Sequence, residues 1–297
     1  MRATAYLVLL ASLFLWAGNW IVARAVRDDI SPAIATMARQ LIVISLLLPF
    51  CFISLKKQIA TLQRHQWRVL AALGFFGGGV HLSLQWLGLH YTTATSGTLY
   101  LSISPIFILL LAGPLLGEPI GPRQWLGVAV SFFGVLLIGT QGNLEQITFN
   151  IGDALALVSM LMWGAYTVFL RLRHDRLETP EFLVVLCMFG LVFNSPWVAF
   201  EYFHGMKPGL TPTGAIAVFY SAVGSMLLAY AGWNYAVMRL GAARAGVTMH
   251  LMPVFGVVLA ALFLGEYPLW FHFAGIALIL AGVVLSSSRA SAAASSR

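Results

Sequence analysis

Aromatic and amide side chains recur near the centres of long apolar runs in this sequence. They are Trp16, Asn19 and Trp20, then Tyr100, then Trp163 and Tyr166, and finally Tyr230, Trp233 and Asn234. Tryptophan and tyrosine usually gather at the two interfaces of a membrane, and a buried Tyr hydroxyl or Trp indole needs a hydrogen-bond partner. Their central position predicts a cavity with mixed apolar and polar walls, suited to a small neutral molecule with an apolar body.

Three ionisable side chains also fall inside the apolar runs. His81 precedes Gln85 by one helical turn, a spacing suited to lining a polar cavity, while the alternative is a simple hydrogen bond to a neighbouring helix. His250 has the same two interpretations. Arg39 lies about 10 Å from the nearer end of its run, where a charge is costly unless it is paired. Either helix carbonyls or a substrate carboxylate would serve as its partner.

Sequence motifs for ATP hydrolysis and for common hydrolases are absent. Lys56, Lys57 and Lys207 lack the Ser or Thr that follows Lys in a Walker A loop, and no HExxH or GxSxG sequence occurs. Cys51 and Cys187 stand alone in apolar runs and predict neither a disulfide nor a metal site. Carboxylates lie at the ends of the runs, so a buried relay for ion coupling is not predicted. We expect no enzyme and no cofactor, and we favour uniport over tight ion coupling.

The composition excludes an ordinary soluble domain. Of the 297 residues 60% are hydrophobic and 9% are charged, against about 25% charged in soluble domains. Apolar runs long enough to cross a bilayer cover 4–25, 32–54, 69–89, 95–116, 122–140, 152–171, 180–200, 213–238, 246–264 and 269–286. Because backbone groups in lipid must be satisfied within each run, we predict an all-α polytopic bundle of about ten transmembrane helices.

The net charge of +7 has a one-sided distribution. If the N-terminus is cytoplasmic, the opposite face carries only Arg24, Arg27 and Lys207 among the basic residues, and Arg39 lies within the second run. This positive-inside pattern predicts that both termini are cytoplasmic. The scattered basic residues do not form a nucleic-acid-binding stripe. The first apolar run is too long for a signal peptide and is interpreted as the first helix.

The two halves of the chain resemble each other at a shift of 148 residues. Under this shift Pro32 matches Pro180, Pro105 matches Pro253, Gly117-Glu118 matches Gly265-Glu266, Gly127 matches Gly275, and Gly134 matches Gly282. We therefore predict a duplication, with repeats at 1–146 and 147–297. Each repeat holds five runs, an odd number, so the second enters the membrane from the opposite face, as is typical of secondary transporters.

The matched prolines Pro105 and Pro253 lie about ten residues into their runs, where a proline removes the hydrogen bond to the carbonyl four residues earlier. The carbonyls concerned are those of Leu101 and Met249. These positions would bind a substrate ammonium, act as gating kinks, or form passive kinks.

Several of these motifs together resemble a known family. Trp16-Ala17-Gly18 and Trp163-Gly164-Ala165 open the two halves, and each half continues with the matched Pro, Gly-Glu and Gly positions. Over nearly the whole chain this combination resembles EamA-type proteins of the drug/metabolite transporter superfamily. The segment 229–234 (AYAGWN), with Trp163-Gly164-Ala165-Tyr166, is similar to YddG-type amino-acid exporters.

This resemblance implies a multi-pass exporter of small neutral and aromatic amino acids in the bacterial inner membrane. We expect alternating access through a central cavity, with Trp163 and Tyr100 against the substrate side chain. His81, Gln85, Asn19 and Asn234 would bond its polar end, and the other candidate binding residues are Trp16, Tyr166, Tyr230, Trp233 and His250. Expected partners are the amino acid and the lipid bilayer, with no nucleic acid; a monomer is compatible with this arrangement.

Other functions remain open at this point. Export of lipophilic cations or other small metabolites would use the same cavity. A membrane-embedded enzyme would need catalytic groups clustered at one depth, and a non-transporting assembly protein would show no saturable flux.

Overall fold

A computed structural model describes residues 2–26, 29–91, 103–143, 145, 150–205, 211–264 and 268–287. Within these ranges the regular structure is helical and contains no strand. The ten helical segments are α1 (Arg2–Ala25), α2 (Pro32–Ile59), α3 (Arg64–Leu73, a π-helical stretch Gly74–Gly79, and Val80–Tyr91), α4 (Ser104–Leu116), α5 (Pro122–Gly139), α6 (Ile151–Leu170), α7 (Thr179–Phe203), α8 (Pro212–Tyr220, a π-helical stretch Ser221–Ala229, and Tyr230–Leu240), α9 (Ala242–Thr248, a 3-10 turn Met249–Leu251, and Met252–Leu264) and α10 (Trp270–Ser287).

These segments coincide with the ten predicted apolar runs, so the all-α polytopic fold is confirmed. Eight of them are long and apolar enough to cross a membrane, and the shorter α4 and α10 are also apolar. Large apolar side chains such as Phe50, Ile216 and Leu262 are 90%, 71% and 72% exposed. Such outward-facing residues suit contact with lipid tails. The cytoplasmic placement of the termini stays a prediction from the charge pattern.

In half of the described helices a proline is the first or second residue. Proline is tolerated in the first turn because its missing N–H would have no helical partner there. The residues in this position are Pro32, Pro105, Pro122, Pro180 and Pro212. Pro105 therefore stands in the first turn of α4 as described, where it removes no bond within that helix, and Leu101 lies outside the described residues.

The second predicted kink, Pro253, follows a local change of helix type in α9. The 3-10 turn Met249–Leu251 directly precedes the α-helical segment in which Pro253 is the second residue. The backbone N–H of Met252 donates to the carbonyl of Met249 in this turn. That carbonyl thus accepts one hydrogen bond within the turn, so Pro253 does not leave it without a partner. A gating role for Pro253 stays a prediction.

The internal duplication is visible where α5 packs against α10. A Cβ placed on Gly127 would lie 2.5 Å from the carbonyl oxygen of Gly282, and one on Gly134 would lie 2.6 Å from that of Gly275. Gly127 is equivalent to Gly275 under the shift of 148 residues, and Gly134 is equivalent to Gly282. The two contacts are therefore related to each other by exchange of the repeats, as a twofold axis between the repeats requires. The two equivalent helices also run antiparallel, so the repeats are inverted.

A single hydrogen bond marks where this axis passes. The hydroxyl of Ser131 on α5 donates to the carbonyl oxygen of Ile279 on α10 at 3.2 Å. These residues are 148 positions apart and are therefore equivalent to each other. A residue that touches its own equivalent must lie close to the twofold axis.

The other helices pack in pairs that obey the same symmetry. Helix α1 packs against α8 and α9, and its equivalent α6 packs against α3 and α4. Helix α2 packs against its own equivalent, α7. The π-helical stretches of α3 and α8 also occupy equivalent positions. Each repeat thus supplies helices to both sides of the centre of the bundle.

One carboxylate joins the two repeats at the start of α9. Glu118, just after α4, accepts hydrogen bonds from the backbone N–H groups of Ala242 at 3.1 Å and Ala243 at 3.0 Å. These are among the amide groups at a helix N-terminus that have no partner within the helix. A negative charge is also favourable at that end of the helix dipole. Glu118 therefore acts as a cap supplied by the first repeat to a helix of the second.

Candidate functional site

A central cavity lies among six helices: α1, α2, α3, α6, α8 and α9. It borders about 400 Å³ of unfilled space, part of which is continuous with solvent. Its described lining consists of Trp16, Asn19, Trp20, Arg39, His81, Leu82, Gln85, Met160, Trp163, Ser225, Tyr230, Met249 and Met252. Helices α5 and α10 contribute none of these residues.

Six of the predicted site residues line this cavity, namely Trp16, Asn19, His81, Gln85, Trp163 and Tyr230. Four others do not reach it: Tyr166, Trp233, Asn234 and His250 are buried elsewhere in the interior. Tyr100 lies outside the described residues.

Several lining residues were not among the predicted set. Trp20 was noted with Trp16 and Asn19 in the first apolar run, and helical spacing could have identified two others. Met160 precedes Trp163 by three residues, and Leu82 precedes Gln85 by three. Met249, Met252 and Ser225 carry no such signal in apolar surroundings. Arg39 was noted in the sequence, with its partner left open.

Trp163 on α6 is the centre of an aromatic cluster. The neighbouring ring centroids lie 5.1 to 5.5 Å from that of Trp163, and they belong to Trp16, Tyr166, His81, Tyr230 and Trp233. Its indole N–H points to the sulfur of Met249 at 3.2 Å. All five pairs are tilted or edge-to-face, and edge-to-face contacts are favourable for aromatic rings. The cluster thus forms a rigid apolar wall on one side of the cavity.

Two aromatic donors of the cavity bond to the π-helical stretches. The indole N–H of Trp16 donates to the carbonyl of Ser225 at 3.1 Å, and the Tyr230 hydroxyl donates to the carbonyl of Gly77 at 2.8 Å. Gly77 and Ser225 are 148 residues apart, so they are equivalent positions in the two repeats. π-Helical turns are frequent at functional sites. Here they supply carbonyl oxygens that satisfy buried aromatic side chains.

His81 is tied to helix α6 as well as facing the cavity. Its Nδ1 lies 2.8 Å from the carbonyl oxygen of Ser159, and the Ser159 hydroxyl donates to the carbonyl of His81 at 3.0 Å. Because a carbonyl oxygen only accepts, this contact requires a proton on Nδ1, and in the neutral form of the ring Nε2 would then be the acceptor. This geometry meets the expectation of an interhelical bond and still presents the ring beside Trp163.

A second layer lies behind the aromatic wall. The Tyr166 hydroxyl donates to Oδ1 of Asn234 at 2.7 Å, and Trp233 is fully buried beside Trp163. Tyr166, Asn234 and Trp233 thus pack behind the aromatic wall. None of them lines the cavity. Asn19, in contrast, lines the cavity and accepts a 2.5 Å hydrogen bond from the Ser221 hydroxyl.

Arg39 brings a positive charge to the same cavity. The residue is 1% exposed, and its guanidinium lies 5.8 Å from the centroid of the Trp86 ring. Within the described part of the chain, Nε and Nη2 have no hydrogen-bond partner. The expected alternative of bonds to helix carbonyls is therefore not met by these two nitrogens.

Comparison with known proteins gives one family and a matching fold. The sequence profile of the EamA-like transporter family matches residues 3–140 and again 150–288. The chain is 28% identical over 296 residues to an uncharacterized transporter of Archaeoglobus fulgidus, covering 97% of this chain and 99% of that protein. It is 30% identical to a probable terminal-alkyne amino-acid exporter of Streptantibioticus cattleyicolor, covering 69% and 68% of the two chains. A solved crystal structure superposes with a TM-score of 0.76 at 19% identity, covering 97% of both chains.

Proposed function

Because the chain belongs to the EamA-like transporter family, we propose that it exports small neutral and aromatic amino acids through the central cavity. Family membership and the apolar helices make it a multi-pass membrane transporter and not an enzyme. The proposal adds that export is across a bacterial inner membrane, by alternating access and without ATP. The aromatic wall around Trp163, facing a cavity that also holds polar side chains, is the observation that carries it.

The aromatic wall suits an apolar or aromatic substrate side chain. Trp16 and Trp163 offer ring edges and faces, and each aromatic pair contributes about 0.5–1.5 kcal/mol beyond the burial of area. Met160 and Met252 border the same space, and flexible thioethers adapt to side chains of different shape. This combination supports a range of amino acids in preference to one.

The remaining lining suits the polar end of an amino acid. Asn19 and Gln85 carry amide groups, which both donate and accept hydrogen bonds. In its neutral form, His81 would add an acceptor nitrogen. The relative from Streptantibioticus cattleyicolor is itself named as a probable amino-acid exporter, which supports the same substrate class here.

Export of lipophilic cations is the less favoured alternative. The guanidinium of Arg39 borders the cavity, and a second positive charge at this site would be repelled by it. A zwitterion or an acid avoids this repulsion.

The separation of the α5–α10 pair from the helices that line the cavity supports alternating access. Helices α5 and α10 are held together at the twofold axis by close glycine contacts, and the described cavity lining comes from other helices. We assign the α5–α10 pair to the fixed part of the molecule. The six lining helices then move about it to open either face.

The test is counterflow in proteoliposomes that contain the purified full-length protein. Vesicles are loaded with unlabelled phenylalanine, leucine or tryptophan, and uptake of the same labelled amino acid is measured. We expect saturable uptake above that of empty vesicles. Flux indistinguishable from empty vesicles for all neutral and aromatic amino acids would overturn the proposal.

The matched variants are Trp163→Ala, Trp163→Phe and Trp125→Ala. Trp125 on α5 is 38% exposed and outside the cavity lining, so its removal should leave uptake unchanged. Trp163→Ala should weaken apparent affinity about tenfold or more, because the ring contacts at the cavity wall are lost. Trp163→Phe retains a ring, so its apparent affinity should lie between those of the unmodified protein and Trp163→Ala. This variant keeps the test valid if Trp163→Ala folds poorly. Equal uptake by all four proteins would contradict the assignment of this site.

A further inference from the structure

Among the described residues, the buried guanidinium of Arg39 has no partner that matches its charge. The residue is 1% exposed, and Nε and Nη2 have no hydrogen-bond partner among the described residues. The described part of the chain places no carboxylate in an ion pair with it. Its contact with the Trp86 ring, at 5.8 Å to the centroid, is a cation–π interaction, which is weaker than the cost of removing a charge from water.

The fold itself does not require a charge at this position. The residue equivalent to Arg39 in the second repeat is Cys187, 148 positions later on α7, and Cys187 is a buried neutral side chain. The equivalent position of the other repeat is therefore occupied without a cation. A charge kept at one of two equivalent positions points to a ligand and not to helix packing.

Arg39 also lies at the right place to meet a ligand. It borders the cavity that Trp16, Trp163, Asn19 and Gln85 line. A guanidinium is planar and donates two parallel hydrogen bonds to a carboxylate, a geometry that an ammonium group cannot match. The aromatic faces and amide oxygens on the same walls would receive the substrate's ammonium group.

We propose that Arg39 binds the carboxylate of the transported molecule, so that the cavity selects compounds that carry a free carboxyl group. The proposal rests on the proposed function in so far as the central cavity is the substrate site. It narrows that function: amino acids and other small carboxylates with an apolar body bind, whereas their amides and the corresponding amines do not.

Four compounds with the same phenyl group separate these possibilities. L-Phenylalanine and 3-phenylpropionate carry the carboxylate, whereas L-phenylalaninamide and phenethylamine lack it. Binding to the purified full-length protein is measured as the shift of its thermal unfolding midpoint with ligand concentration. We expect both carboxylates to raise the midpoint and the amide and the amine to have no effect at the same concentrations.

Variants at Arg39 test the residue directly. Arg39→Gln should weaken binding of both carboxylates about tenfold to a hundredfold, the range expected for charge-assisted hydrogen bonds. Arg39→Lys retains the charge but not the bidentate geometry, and it should lose less affinity for the carboxylates than Arg39→Gln. Arg123→Gln removes an exposed arginine outside the cavity and should bind as the unmodified protein does.

The outcomes separate this inference from the transport proposal. Equal binding of amine and acid by the unmodified protein, or unchanged binding by Arg39→Gln, would overturn the carboxylate site even if amino acids are transported. Arg39-dependent binding of 3-phenylpropionate without any amino-acid counterflow would support the site and count against amino-acid export. If Arg39→Gln does not fold, Arg39→Lys tests the residue, and the four-compound comparison on the unmodified protein tests the selection for a carboxylate.

Discussion

The contact between α5 and α10 makes Gly127→Ala a sensitive test of the twofold packing. The added methyl carbon would lie 2.5 Å from the carbonyl oxygen of Gly282 and 2.6 Å from Cβ of Ser286, whereas ordinary contacts begin at 3.4 Å. The helices would have to separate by about 0.9 Å, because neighbouring backbone atoms cannot rotate away. Overpacking of this kind costs about 1–3 kcal/mol, and the rigid neighbours place the expected loss near the upper end.

The symmetry of the contact adds two further expectations. Gly134→Ala meets the carbonyl of Gly275 at 2.6 Å and should cost about as much as Gly127→Ala. The double variant should lose less stability than the sum of the two single losses, because separating the helices for one methyl group makes room for the other.

The measurement is unfolding of the purified protein by SDS in mixed micelles, followed by tryptophan fluorescence. Gly256→Ala on α9 is the matched control, since a Cβ there has no described atom within 4 Å. Its stability should be unchanged or raised by up to about 1 kcal/mol, the usual gain of Ala over Gly within a helix. If Gly127→Ala unfolded at the same SDS fraction as Gly256→Ala, the close packing inferred at the axis would be refuted.

Two further substitutions test buried polar contacts by the same unfolding assay. Glu118→Gln retains one acceptor for Ala242 or Ala243 but loses the negative charge at the start of α9. It should lower the free energy of unfolding by about 1–2 kcal/mol. Glu118→Ala should lower it further, and equal stability of all three proteins would rule out the cap. Tyr166→Phe removes the donor to Oδ1 of Asn234 and should cost about 1–3 kcal/mol. Transport by that variant, once folded, should persist because Tyr166 lies outside the cavity lining, and abolished transport would show that the second layer has a direct role.

The sequence predicted the helices well because the bilayer limits what a spanning segment can be. Length, apolar content and an internally bonded backbone leave few alternatives, and all ten described helices fall on predicted runs. The shift of 148 residues was detectable because Pro and Gly fulfil positional roles that other residues cannot. In Gly127 and Gly282 that role is the contact at the axis.

The details of the cavity were harder to predict because these helices are apolar on every side. An amphipathic helix shows which face is buried, but α6 gives no such signal, and Tyr166 fell behind Trp163 instead of beside it at the cavity. Pro253 illustrates a different limit. A proline predicts a lost helical bond, but the 3-10 turn that rebonds the carbonyl of Met249 depends on tertiary context.

The hydrogen bond between Ser131 and Ile279 has a consequence for the energetics of the whole chain. An axis at this point lies in the plane of the membrane and exchanges its two faces when it exchanges the repeats. Under the proposed alternating access, a conformer open to one face and a conformer open to the other would share similar helix contacts, with the roles of the repeats reversed. The difference in their free energies comes only from positions at which the repeats are unlike, such as Arg39 and Cys187. The resting orientation of the protein would thus be set by the residues that differ between the repeats.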